Sequence, residues 1–196
     1  YPIVEIFHSV QGEGYHTGTP SIFIRFGGCN LQCSWCDTDF SKFDKKTIPE
    51  IMEILSQWDT KRVIYTGGEP ALQKLAPLSD ELHSKGYNIA IETNGTIEIK
   101  DGLVDWICVS PKDMLYPEFS IKQKQGDELK VVYVGQDLGM YDNLKKGFPN
   151  LFLQPCYDES KDAGENGKTF HSTFDMVMQN PGWNLSLQTH KWMGVD

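Results

Sequence analysis

No stretch of this chain is apolar over the roughly 18–20 residues that a bilayer-spanning helix requires, and no secretory signal is visible at its start. It carries no internal repeat and no low-complexity linker. Positive charge is scarce: 18 Lys and Arg stand against 27 Asp and Glu, for a net charge of −9, and the basic residues are scattered. That argues against a nucleic-acid wrapper, which needs clustered cations to release phosphate counterions. The acidic balance reads first as a solvated surface. Cysteine is limited to five, an odd number with three of them clustered. A disulfide scaffold is therefore not expected, and a reducing, cytoplasmic, metal-binding setting is. At 196 residues the chain has the length for one full core and is short for two, so residues 1–196 are expected to form one domain.

What is present alternates between two periodicities. Ser21–Phe26 is β-branched and aromatic with period two and reads as a strand, as do Arg62–Tyr65, Asn88–Glu92, Trp106–Ser110, Glu128–Val134 and Leu151–Gln154, with a short last strand over Leu185–Gln188. Helical spacing runs from Thr47 to Trp58, with Ile48, Ile51, Met52 and Leu55 on one face, and again over Leu72–Lys85 and Phe170–Gln179. Strands alternating with helices imply βα units and a parallel sheet. Polar residues gather where strands end: Gly67-Gly68-Glu69-Pro70, Thr93-Asn94-Gly95, Ser110-Pro111-Lys112 and Gln154-Pro155-Cys156. In barrel-like α/β folds that edge is where chemistry is built.

The densest signal is Cys29-x3-Cys33-x2-Cys36, with Trp35 before the last thiol. Three thiolates in eight residues can hold three irons of a [4Fe–4S] cube and leave the fourth open to a chelating cofactor. A structural zinc site is the alternative, and it wants four ligands. Cys108 lies in an apolar strand and reads as a small core residue, whereas Cys156 at a strand end could serve as the fourth. On the cysteines alone both metals stay open.

Taken with Gly67-Gly68-Glu69-Pro70 about thirty residues on, the triplet resembles the radical S-adenosylmethionine (SAM) superfamily. The resemblance narrows on Val10-Gln11-Gly12-Glu13-Gly14, Phe26-Gly27-Gly28-Cys29-Asn30-Leu31, Cys36-Asp37-Thr38-Asp39-Phe40, Ile91-Glu92-Thr93-Asn94-Gly95, Ser110-Pro111-Lys112 and Gln188-Thr189-His190-Lys191. Together these look like the 7-carboxy-7-deazaguanine synthase (QueE) family, over essentially the whole chain. The resemblance implies an incomplete (β/α) barrel of about six parallel strands. It also implies conversion of 6-carboxy-5,6,7,8-tetrahydropterin to 7-carboxy-7-deazaguanine with loss of ammonia, on the route to queuosine and other 7-deazapurines.

Residue by residue, the resemblance implies that Cys29, Cys33 and Cys36 hold the cluster and that Thr38 ligates Mg2+ through its hydroxyl. It implies SAM contacts from Gly68, Glu69 (as acceptor to the amino group), Ser110, Pro111, Lys112, Gln154, Pro155, Cys156 and Tyr157, with Glu92 and Asn94 as further candidates. Pterin contacts fall to Val10, Gln11, Gly12, Glu13, Arg25, Thr66, His190 and the terminal Asp196. It further implies an external electron donor such as flavodoxin and a homodimer, with no nucleic acid and no membrane. Taken singly, Thr38 reads as a turn or cap threonine, Arg25 as a surface ion pair and His190 as a surface histidine. A glycyl-radical-enzyme activase and a non-enzymatic zinc-binding module are the competing readings.

Overall fold

A computed structural model describes every residue except 37, 159 and 196, and the side chain of 192. The strands, in chain order, are β1 (Pro2–Val10), β2 (Pro20–Phe26), β3 (Asp44–Lys45), β4 (Arg62–Gly67), β5 (Asn88–Thr93), β6 (Trp106–Val109), β7 (Glu128–Tyr133), β8 (Asn150–Pro155) and β9 (Asn184–Leu185). They form one open sheet in the order β3-β1-β2-β4-β5-β6-β7-β8-β9. From β2 to β9 every pairing is parallel; β1 runs antiparallel to β2 and β3. The seven strands read from the sequence all appear in the parallel part. Strands β1 and β3 were not anticipated and extend the sheet by an antiparallel edge.

Helices α1 (Ile48–Leu55), α2 (Ala76–Ser84), α3 (Ala163–Gln179) and α4 (Thr189–Met193) complete the set, with 3-10 turns at Pro70–Leu72, Leu138–Tyr141 and Leu144–Gly147. Thr47 starts α1 with a reciprocal capping box to Glu50, which satisfies two of the N–H groups a helix start leaves unpaired. Helix α3 begins seven residues earlier than its apolar spacing suggests. Gly164 and Gly167 blur the pattern there, and Asp162 caps the true start by accepting from the Glu165 N–H. The expected strand over Leu185–Gln188 pairs only through Asn184 and Leu185, its remaining residues leading into α4.

Side-chain alternation divides the sheet into two faces. Ile22, Ile24 and Phe26 of β2, Val63 and Tyr65 of β4, and Ile89 and Ile91 of β5 pack with Ile51 and Leu55 of α1 and Leu78 and Leu82 of α2. Leu129 and Val131 of β7 and Leu153 of β8 join a second cluster with Tyr141, Leu144, Phe148 and Trp183. The intervening residues, Arg25, Thr66, Glu92, Lys130, Val132 and Gln154, look the other way and line a cleft. Below it Tyr15, His16 and Trp106 form an aromatic plug, with the His16 and Trp106 rings 4.4 Å apart.

Candidate active site

The strand ends named from the sequence converge on two confluent hollows. The first, about 220 Å³, is lined by all three clustered cysteines, Gly68, Ser110, Lys112, Gln154, Pro155, Cys156 and Tyr157 among others. The second, about 290 Å³, is lined by Val10, Gln11, Gly12, Glu13, Arg25, Thr38, Thr66 and His190. Cys36, Thr66, Gly67, Glu92, Ser110, Lys112, Val132, Gln154 and Gln188 border both, so this is one cleft with two halves. Cys29, Cys33, Gly68, Pro155, Cys156 and Tyr157 line only the first half, and Val10, Gln11, Gly12, Glu13, Arg25, Thr38 and His190 only the second. Asp196 lies outside the described residues.

The cysteine loop is fixed from behind. Asn94 Nδ2 donates to Asn30 Oδ1 at 3.0 Å, and Asn30 Nδ2 donates to Thr96 Oγ1 at 2.8 Å. The Glu69 N–H donates to Gly28 O at 2.9 Å. Gly68 presses so closely on this loop that a Cβ there would stand 2.0 Å from Gly28 O, while Gly67 turns the chain at φ +118°, a conformation glycine adopts without strain. Burial pushes the Cys29 and Cys33 thiols up from their ordinary values, with Lys112 pulling Cys33 the other way. Leu31, Trp35 and Phe40 complete an apolar wall. Among the described residues no three His, Cys, Asp or Glu side chains close around a point that could hold a single ion. Three thiols facing one hollow could each be carried on its own iron of a cube.

Glu69, expected at the SAM amino group, sits just past the end of β4, behind the thiol-lined half. It is fully buried and does not line the cleft. Its carboxylate accepts from Thr93 Oγ1 at 2.7 Å, from the Asn94 N–H at 2.7 Å and from the Ala71 N–H at 3.0 Å. Its side chain thus staples the end of β4 to the end of β5. Burial raises its pKa, against the pull of those donors and of Lys112. Pro111 is likewise buried behind the wall. Cys108 is a buried strand residue, as read from the sequence.

In the second half Arg25 makes the ion pair that its bland reading foresaw, Nε to Glu5 Oε1 at 2.7 Å, and also donates through Nη1 to Thr38 Oγ1 at 3.1 Å. The C-terminal segment closes this half from above, with the Thr189 N–H and Oγ1 both donating to Gly12 O at 3.0 Å. Two residues absent from the sequence reading of the site join it. Lys130 pairs with Glu13 at 2.7 Å and Glu92 at 3.0 Å, and Gln188 Nε2 donates to Glu13 Oε1 at 2.9 Å. Burial alone would raise the pKa of Glu13, yet Lys130, Gln188 and His190 outweigh it and hold the carboxyl at about 2.

An open α/β sheet with three thiols, a Gly-Gly turn and a polar cleft at its strand ends defines a radical SAM protein, and residues 23–115 match the family model described as the Radical SAM superfamily. That superfamily carries a [4Fe–4S] cluster and SAM. A 7-carboxy-7-deazaguanine synthase of Bacteroides thetaiotaomicron is 44% identical over 98% of this chain and 97% of its own length. One from Haemophilus influenzae is 36% identical over 100% of this chain and 94% of its own. The crystal structure of QueE from Escherichia coli superposes with a TM-score of 0.75 at 29% identity, covering 95% of this chain and 93% of that one. The chain belongs to the 7-carboxy-7-deazaguanine synthase family, a family of lyase-type radical SAM enzymes.

Proposed function

We propose that residues 1–196 act as one radical SAM domain that converts 6-carboxy-5,6,7,8-tetrahydropterin to 7-carboxy-7-deazaguanine and ammonia. The observation that carries this reading is the two-part cleft, in which the thiol-lined half opens directly into a half lined by carboxylates, amides and one arginine. Cys29, Cys33 and Cys36 would hold the cluster. Gly68, Ser110, Lys112, Gln154, Pro155, Cys156 and Tyr157 would hold SAM. When bound, the cluster and SAM supply hydrogen-atom abstraction from carbon.

The chain's own part is placement and exclusion of water. Gln11, Glu13 and the backbone of Val10 and Gly12 offer acceptors and donors to a pterin edge, with Thr66 and His190 beside them. Arg25 retains N–H groups beyond those given to Glu5 and Thr38, and a guanidinium suits the substrate carboxylate. Leu31, Trp35 and Phe40 shield the thiols, while the C-terminal segment seated on Gly12 roofs the substrate half. Glu69 acts from behind, through the Thr93-Asn94 turn. Thr38 offers one oxygen to Mg2+, which combines few protein ligands with substrate and water; its companions would be the substrate carboxylate and solvent. An external one-electron donor such as flavodoxin and a homodimeric state complete the proposal. Among the described residues no helix is long and apolar enough to cross a membrane.

The test is product analysis. Anaerobically reconstituted protein with SAM, a reductant and carboxytetrahydropterin should give 7-carboxy-7-deazaguanine with ammonia. Cleavage of SAM without any deazapurine would instead favour the activase reading.

A further inference from the structure

The floor of the substrate half is a closed polar ring drawn from four parts of the chain. Gln11 Nε2 donates to Glu92 Oε1 at 3.1 Å. Lys130 Nζ reaches Glu92 Oε2 at 3.0 Å and Glu13 Oε2 at 2.7 Å. Gln188 Nε2 donates to Glu13 Oε1, and the Glu13 N–H donates back to Gln11 Oε1 at 3.2 Å. Lys130 is the hub: its side chain is 4% exposed, against 18% for Glu13 and 22% for Glu92. Two carboxylates this close on one poorly solvated floor repel each other. The ammonium between them removes that conflict.

Other titratable groups face the ring from each side, the buried Cys108 thiol as a neutral one. Glu128 lies on the same strand, Cys108 on β6, Lys112 after β6, Arg62 on β4 and His190 on α4. Lys130 feels Cys108, Glu13, Glu92 and Glu128, Lys112 feels Lys130, Arg62 feels Glu92 and Glu128, and His190 acts on Glu13. Burial works against the Lys130 charge, and the surrounding acids outweigh it.

Both carboxylates accept from the protein at each oxygen, Glu92 also from the Cys108 thiol, and an ionised carboxylate accepts about four hydrogen bonds. Both groups line the cleft, so the floor presents acceptors with spare capacity. We propose that Lys130 is the positioning residue of the substrate half, holding the Glu13 and Glu92 carboxylates in place as an acceptor pair that selects a ligand edge built of N–H donors. This rests on the pterin reading, whose 2-amino-4-oxopyrimidine edge presents adjacent N–H groups.

The experiment is equilibrium binding of carboxytetrahydropterin to cluster- and SAM-loaded protein without reductant, between about pH 6.5 and about pH 8.5. It is read as the ratio of variant to wild-type Kd, in which the ligand's own titration cancels. Lys130→Met removes the charge that keeps the Glu13 carboxyl low, so Glu13 takes up a proton as pH falls. The ratio should be about tenfold or more (about 1.4 kcal/mol) at the acid end and shrink towards the alkaline end. Lys130→Arg should hold it near one throughout. The double variant Glu13→Gln/Lys130→Met removes both charges of that pair while Gln11 still donates to Glu92; with its fold checked by circular dichroism, it should bind weakly at every pH. A Lys130→Met ratio near one, a loss independent of pH, or wild-type affinity in the double variant would each overturn the proposal. Failure of the wild-type protein itself to bind the pterin would instead overturn the substrate reading on which it rests.

Discussion

Replacing Gly68 by alanine isolates how the cofactor half is held. The added Cβ would stand 2.0 Å from Gly28 O, 2.5 Å from Gly28 C and 3.1 Å from Cys29 Cβ. Ordinary contact begins at 3.4 Å, so the β4 end and the cysteine loop must part by 3.4 − 2.0, about 1.4 Å. The obstruction is backbone, which cannot rotate away as a side chain would. Overpacking of this kind costs about 1–3 kcal/mol against a total stability of about 5–15 kcal/mol, so the fold survives. Metal-site geometry, however, tolerates only about 0.2 Å. Gly68→Ala should therefore remain folded by circular dichroism yet lose cluster on anaerobic reconstitution, counted as iron and sulfide per chain. Its SAM affinity should fall about tenfold or more. Gly182→Ala, where no atom lies within 4 Å of the added carbon, is the control. Full cluster loading and unaltered SAM affinity in Gly68→Ala would refute the close-approach argument.

Three other outcomes follow from the same contacts. Glu69→Ala strands two buried donors and one partly buried donor at about 1–3 kcal/mol for each buried one, partly relieved by relaxation, and thermal unfolding should drop by roughly 10 °C. Cys33→Ala should abolish both the broad absorbance near about 400 nm typical of such clusters and turnover. Glu13, held at about 2 from a reference of 4.5, contributes stability that is present above pH 4.5 and lost as pH falls through about 2. At 1.36 kcal/mol per pH unit that is roughly 3 kcal/mol, and acid unfolding of Glu13→Gln should lack that component of the titration.

The parallel strands were legible because β-branched and aromatic residues alternate or cluster between turn residues in β2 and β4 to β8. Strand β1 was not, because Pro2–Val10 first stands out as part of a motif, and its pairing partner β2 is what makes it an edge. The cleft residues were legible through motif spacing, yet two roles depended on three dimensions. Glu69 reads as an acceptor aimed at a ligand until Thr93 and Asn94 are seen to surround it. Lys130, in Glu128-Leu129-Lys130-Val131, reads as a solvated charge on a half-exposed strand. Alternation puts it opposite Leu129 and Val131, but a single strand does not tell whether that opposite face meets water or a closed floor. Its neighbours Glu92 and Glu13 lie 38 and 117 residues away in sequence, beyond any local pattern.

The central structural claim is that one cleft separates cofactor from substrate. Titrating SAM and carboxytetrahydropterin into Arg25→Ala and Tyr157→Ala tests it most directly. Arg25→Ala should weaken the pterin about tenfold or more, the scale of one lost charge-assisted contact, and leave SAM unchanged. Tyr157→Ala should weaken SAM and spare the pterin. Equal losses for both ligands in either variant, or the reverse pattern, would contradict the division of the cleft.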